Sequence, residues 1–301
     1  MTVDLLLLAL ADGVSYAGLL FLVALGLTLI FGVMGIVNVA HGAFFAFGGY
    51  TAATFVVALS GPDTPAIVLL LALAAAAILV GLVMGTALEA GLLRRVQDKD
   101  PILQLLVTFA AFMIFEDLQR LIWGASPRSA AAVVDSLGTL ELFDVTYTRY
   151  QILLVPAIAI VAYFSLRAFL RRTRIGKQIV AVTHSREVAT ALGINAKRIG
   201  WFTFVIGAML GALGGALAAP VTSLVPGVGT DWIVLSFSVV ATAGLGQITG
   251  ALIAALIIGI ARSIAVYTMP ELEVVVPYLI MVSVLLVRPS GLFTVAQARR
   301  I

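Results

Sequence analysis

The sequence predicts an all-α polytopic membrane protein: eight or nine transmembrane helices with broken or re-entrant segments, N-terminus outside and C-terminus cytoplasmic. Three observations carry that reading. Of 301 residues, 62% are hydrophobic and 11% charged, whereas soluble domains carry about 25% charged residues. The apolar residues come in blocks near the ~20 needed to cross ~30 Å of hydrocarbon, not in the ~10-residue alternating runs of a membrane barrel. The cations gather on one side of those blocks, as topology charge does.

Taken in order, the apolar blocks are 13–32, 43–59, 66–90, 102–122, 149–169, 199–219, 232–244, 251–267 and 274–288. The block 232–244 is short for a crossing, which leaves eight or nine spans. Arg94, Arg95 and Lys99 follow the third block, and Arg167, Arg171, Arg172, Arg174, Lys177, Arg186, Lys197 and Arg198 surround the loop after the fifth. Arg288, Arg299 and Arg300 close the chain. With nine spans, these fourteen of the eighteen Lys and Arg share one face. Asp4, Asp12, Asp63, Asp135, Glu141, Asp144, Asp231, Glu271 and Glu273 fall on the other. The chain reads as one transmembrane domain, 1–301, with a cytoplasmic loop at about 170–198 and an external loop at about 123–148. Within the latter, Thr139 to Tyr147 favours short strands or turns, either as a connector or as a docking surface for an external partner. Met1-Thr2-Val3-Asp4 shows no basic leader region.

Two blocks are interrupted. Residues 32–50 read GVMGIVNVAHGAFFAFGGY, with Asn38, His41 and Gly42 inside an apolar run; Ala243 to Gly250 read AGLGQITG, with Gln247 and Gly250 before another apolar helix. Backbone freed at such a break must be satisfied by protein or water, and transporters place broken helices where substrate or gate is met. Asn38, His41, Gly42, Gln247 and Gly250 are therefore the candidates for a translocation path. The competing reading is a plain turn in which Asn38 caps the next helix. The likeness of the two breaks suggests an internal parallel repeat. Gly207, Gly211 and Gly215 recur every four residues, a small face that lets helices approach closely within or between subunits.

Charges inside the blocks are few. Glu116 and Arg120 stand four apart and can pair on one helical face, with Asp117 beside them. Arg262 needs a partner, for which Glu271 and Glu273 are the candidates. No acidic residue is expected at mid-depth. There are no cysteines, which removes disulfides and thiolate chemistry, and the two histidines have no neighbours that would complete a metal site. The sequence pI of about 9.4 reflects span-flanking cations rather than a nucleic-acid surface.

Gly176 to Asn195, GKQIVAVTHSREVATALGIN, is a basic, polar island in this oily chain. Ser185 reads as an N-cap, Arg186 to Leu192 as a short helix, Gly193 as its left-handed stop and Ile194 as the apolar contact that follows. Val188, Ala189 and Leu192 share one face. A helix of this length is marginal alone and needs a surface to pack on, whether its own loops or a soluble partner.

These residues resemble a known family. GLTLIFGVMGIVNVAHGAFFAFGGY (Gly26 to Tyr50), the Gly176–Asn195 loop, GLGQITGALIAALIIGI (Gly244 to Ile260) and VRPSGLF (Val287 to Phe293) are similar to the LivH-type permeases of bacterial ATP-driven branched-chain amino acid importers. The resemblance implies a single permease domain in the bacterial inner membrane, not an enzyme, with ATP and Mg²⁺ held by partner chains and no cofactor of its own. It implies that Ser185, Arg186, Glu187, Val188, Ala189, Leu192 and Gly193 form a coupling helix seated on a separate ATPase. It further implies a second permease subunit, two ATPases and an extracytoplasmic solute-binding protein as partners. The solute would be leucine, isoleucine or valine; relatives move urea, amides or other amino acids.

Other classes fare worse on the residues. No Walker A pattern occurs, and Gly176-Lys177 lacks its upstream glycine and following Ser or Thr. An ion-coupled secondary carrier would suit the broken helices but not the absence of mid-depth carboxylates. An intramembrane enzyme would need HExxH, a GxSxG elbow or paired aspartates, and none is present.

Overall fold

A computed structural model describes residues 3–97, 99–142 and 145–293. The helices are α1 (Val3–Met34), α2 (His41–Leu59), α3 (Ala66–Leu88), α4 (Arg94–Val96), α5 (Pro101–Trp123), α6 (Ala132–Leu137), α7 (Val155–Arg172), α8 (Arg174–His184), α9 (Arg186–Ala191), α10 (Ala196–Ala218), α11 (Val228–Ala243), α12 (Ile248–Thr268) and α13 (Val276–Val287). A π-helical stretch, Glu89–Leu93, joins α3 to α4, and another, Tyr150–Leu154, leads into α7. Strands β1 (Thr139–Leu142) and β2 (Val145–Thr148) pair antiparallel, Thr139 opposite Thr148, where short strands or turns are expected. Asp144 of the acidic face and Arg299 and Arg300 of the basic face lie outside the described residues.

Every predicted apolar block is helical. Among the described residues, seven helical segments are long and apolar enough to cross a membrane, while Val228–Ala243 and Val276–Val287 are shorter. The sixteen residues of α11 span about 24 Å at 1.5 Å per residue, so the predicted shortness of that block persists. Contacts hold α13 at both of its ends. At one end, Leu292 N–H donates to Thr242 O and Phe293 N–H to Ala243 O, which joins the ends of α11 and α13. At the opposite end, Arg262 of α12 pairs with Glu273 just before α13, and its guanidinium lies 4.0 Å over the Tyr16 ring of α1. The Glu116–Arg120 pair also forms, at 2.9 Å.

The helices sort into a core and a shell. The most apolar stretches of α1, α2 and α10 are 78%, 72% and 67% buried, whereas those of α5 and of Tyr150–Arg172 are each 22% buried. The shell turns Ile102, Leu106, Ile114, Leu121, Val161 and Phe164 outward, as a lipid-facing surface does. A helix apolar all round belongs in a core, and α1 takes that place.

Small residues let the core helices meet backbone to backbone. The Gly207–Gly211–Gly215 row lies inside the chain. Gly207 faces Ile30 and the Gly26 carbonyl of α1, Gly211 faces the His41 ring, and Gly215 lies against the Phe45 carbonyl of α2. A methyl group on Gly215 would overlap that carbonyl, a backbone atom that cannot swing away. Gly200, in the same helix, has open space where a Cβ would stand. Gly215→Ala is therefore expected to cost about 1–3 kcal/mol as overpacking, while Gly200→Ala gains about 0.5–1 kcal/mol of helix propensity. Melting temperatures in detergent should move in opposite directions; a parallel shift would contradict the seam.

Candidate functional site

The first break is a short irregular stretch between α1 and α2, Gly35–Ala40. Met34 ends α1, and Gly35 takes φ +66 with its N–H donating to Phe31 O at 2.8 Å, the left-handed stop that glycine accepts without a Cβ penalty. The chain then turns back into the bundle. His41, the first residue of α2, is wholly buried and its Nε2 lies 3.0 Å from the carbonyl of Val23, well inside α1. That carbonyl can only accept, so Nε2 carries the proton. The imidazole sits edge-on to Phe44 in a slot made by Gly26 and Gly211: a Cβ on either would stand 2.7–2.9 Å from the ring. Gly42 is equally constrained, pressed against the Gly229 carbonyl and Ile233 of α11.

The freed backbone is partly satisfied from a third helix. Thr108 of α5, fully buried, accepts from Val39 N–H at 3.4 Å, and its own proton is shared between Val37 O at 3.3 Å and Leu105 O at 3.0 Å. Nothing in the sequence marks this threonine: one hydroxyl in an apolar helix becomes meaningful only when the break is laid beside it.

Asn38 does not cap α2. Ala40 stands at the N-cap without a side-chain bond. The Asn38 side chain is 0% exposed, and neither its amide nitrogen nor its amide oxygen has a hydrogen-bond partner; His41 Nδ1, Thr28 Oγ1 and Thr242 Oγ1 are also buried without one. An unpaired buried polar group costs about 1–3 kcal/mol, so the plain capped turn is not what this stretch builds.

The second break differs. Gly244–Gln247 is a tight turn between α11 and α12, with Gly244 and Gly246 both at positive φ. Gln247 precedes α12 half-buried and without a side-chain cap, and Gly250 packs against the Phe293 ring. Gln247 thus ends a turn at the end of the bundle and Gly250 is buried in the first turn of α12, whereas Asn38 of the first break and His41 and Gly42 at the start of α2 are all buried close together in sequence. The local geometries do not match as copies of one repeat.

The basic island folds as two helices. Thr173 caps α8 by accepting from Gly176 N–H at 3.0 Å. Ser185 caps α9 by accepting from Val188 N–H at 3.3 Å. Gly193 follows at φ +83. Ile194 N–H reaches Ala189 O and Gly193 N–H reaches Thr190 O, both at 3.0 Å, the paired bonds of a Schellman stop. One expectation needs correcting. Ala189 is 2% exposed and packs with Ile179, Val182 and Ile199, while Val188 is 59% and Leu192 77% exposed. Ala189 anchors α9; Val188 and Leu192 are its free face. Arg186 donates to Gln97 Oε1 at 3.3 Å, and Glu187 lies in the first turn of α9. A cleft of about 510 Å³ opens beside them, lined by Arg186, Thr190, Gly193 and Lys197 among others.

A buried carboxylate also sits at this end. Glu89 is 1% exposed and pairs with Arg94 at 2.7 Å. Residues five apart diverge on a regular α-helix; the wider π-helical turn brings these two together, which spacing alone does not announce. No cluster of three or more metal-ligating His, Cys, Asp or Glu occurs among the described residues.

The chain is similar to the high-affinity branched-chain amino acid transport system permease protein LivH of Salmonella typhimurium, 28% identical over 93% of each chain. It is likewise similar to BraD of Pseudomonas aeruginosa, named a permease of the same kind, 26% identical over 94% of each. In fold it resembles PsaBC from Streptococcus pneumoniae in complex with Fab, with TM-score 0.51 and 11% identity over 96% of this chain and 92% of that one. A profile described as "Branched-chain amino acid transport system / permease component" matches residues 9–285, and the chain belongs to that family.

Proposed function

We propose that this chain is the membrane-spanning permease subunit of an ATP-driven importer that carries branched-chain amino acids across a bacterial inner membrane. The observation that carries the reading is the pairing of a buried, re-entrant break holding an unpartnered amide with a capped helix presented at the basic end of the bundle. With that end in the cytoplasm by the positive-inside rule, the N-terminus lies outside and nine segments cross, α11 and α13 included. The Glu89–Arg94 pair neutralises the buried carboxylate, which suits an importer driven by partner ATPases better than an ion-coupled carrier.

In this reading Leu192 and Val188 enter a groove on the ATPase. A second permease subunit, two ATPases and an external solute-binding protein complete the assembly, and ATP and Mg²⁺ stay on the ATPases. The break lines the path: the apolar walls of α1, α2 and α10 accept an aliphatic side chain, and Asn38 and the backbone of Gly35–Ala40 meet the charged ends of the amino acid. Gln247 and Gly250 would contribute only from the rim.

Two expectations follow. Leu192→Arg should abolish co-purification of the ATPases while leaving insertion and melting unchanged. Ala189→Arg should instead lower the melting temperature, because it drives a charge into the packing of α8, α9 and α10. ATPase retained by Leu192→Arg would refute the docking surface. Asn38→Leu removes an amide that has no partner, so stability should hold or rise by about 1 kcal/mol, yet leucine uptake should fall well below that of Thr139→Leu. Equal uptake in the two variants would remove the break from the path.

A further inference from the structure

Between helix α9 and the Gly35–Ala40 break lies one continuous set of contacts that the family reading does not assign. Arg186 of α9 donates to the Gln97 side chain at 3.3 Å. Gln97 and Lys99, in the turn between α4 and α5, offer their backbone carbonyls to Gln104 Nε2, each at 2.9 Å. Gln104 is 7% exposed and spends both amide protons on these carbonyls, which clamps the turn to the start of α5. The helix start is fixed by Asp100, which accepts from Ile102 N–H at 2.8 Å, and by Pro101 in its first turn. One helical turn further along the same helix, about 6 Å at 1.5 Å per residue, Thr108 bonds Val39 N–H and Val37 O on either side of Asn38.

The far end of the same helix is fastened to α2, where Trp123 Nε1 donates to Thr54 Oγ1 at 2.8 Å. The apolar stretch of α5 is 22% buried, against 72% for α2 beside it, so its start can tilt about that far end while the α1–α2–α10 core stays fixed. Nearer that start, its polar attachments are the turn tied to α9 and, through Thr108, the backbone tied to the path.

We propose that Gln97, Gln104 and Thr108 are positioning residues that carry the displacement of α9 through the start of α5 to the Gly35–Ala40 break, opening and closing the backbone around Asn38. A push on α9 moves the Gln97–Asp100 turn, Gln104 passes that movement to α5, and Thr108 pulls on the peptide groups flanking Asn38. The inference rests on the importer reading, in which α9 is the part that the ATPases move.

The test uses the assembled importer with its ATPases in liposomes. The chain has no cysteine, so Val37→Cys, at a residue 37% exposed, supplies a single thiol on this subunit beside the break. Its labelling by a maleimide is followed with and without ATP, in parallel with leucine uptake and ATP hydrolysis. In the otherwise native chain, ATP should change the labelling rate. In Gln104→Leu and, independently, in Gln97→Leu, ATPase binding and hydrolysis should persist. The ATP-dependent change in labelling should disappear, and uptake per ATP should fall by about fivefold or more, the low end of ordinary coupling between sites. Gln104→Lys, whose ammonium can donate to the same two carbonyls, should recover part of the coupling. Thr108→Val should reproduce the uncoupling with α9 still docked.

If Gln104→Leu and Gln97→Leu keep both the labelling change and the uptake ratio, the relay is overturned. Leu192→Arg, run alongside, separates this from failure of the importer reading itself. ATPase still bound to that variant indicts the docking surface; ATPase lost from it, with the glutamine variants fully coupled, indicts only the relay. A glutamine variant that fails to insert leaves the other, and Thr108→Val, to decide.

Discussion

Peptide groups cannot be left bare inside hydrocarbon, and the structure answers to that constraint at Gly35–Ala40 more than anywhere else. A chain that stops a helix and re-enters the bundle releases donors and acceptors that lipid cannot solvate. The surroundings are arranged to meet them. Thr108 bonds on both sides of Asn38, and glycines on α1 and α10 open the slot for His41. The core helices close over Asn38 so that it has no exposed surface, while Gly35 and Val37 stay exposed. The Asn38 amide and, beside it, His41 Nδ1 are left unpartnered, and buried polar groups of that cost mark a place where function outweighs stability.

The basic end is built on a different logic. Its two helices are amphipathic and short, too short to persist alone, and each carries its own cap. Ala189 and Ile194 dock them onto a small cluster with Ile179, Val182 and Ile199, against which Val33 of α1 also packs. The result is a rigid projection rather than a floppy loop. Rigidity is what a lever requires: a helix that frayed under load would absorb displacement instead of passing it on. Val188 and Leu192, 59% and 77% exposed among the described residues, stand outside that cluster and are available to a partner.

Much of this was legible residue by residue. Composition and block length set the helical membrane class, and each apolar block is a helix. Ser185, Gly193 and Ile194 announced a capped helix because caps are local: the bonds run three to five residues along the chain and depend on little else. The Glu116–Arg120 pair and the Arg262–Glu273 pair were within reach for similar reasons, the first by helical spacing and the second by proximity across a turn. Less legible was which side of α9 faces inward. Val188, Ala189 and Leu192 were read as one surface, but the small Ala189 is drawn under by its neighbours while the larger side chains remain outside.

By itself, the sequence determined the kind of solvent this chain lives in, where its apolar helices lie, and which segment forms a capped projection, because hydropathy and capping act over short stretches of chain; it missed that α1 begins at Val3, ten residues before its apolar block. Only the tertiary structure decided that Gly211 serves a histidine ring, that Asn38 is wholly buried while Gln247 is half-buried in a turn, and that Thr108 and Gln104 matter at all. Those facts arise where residues far apart in sequence meet across helix seams, and a hydroxyl or an amide reveals its purpose only when the backbone it must satisfy has been brought alongside.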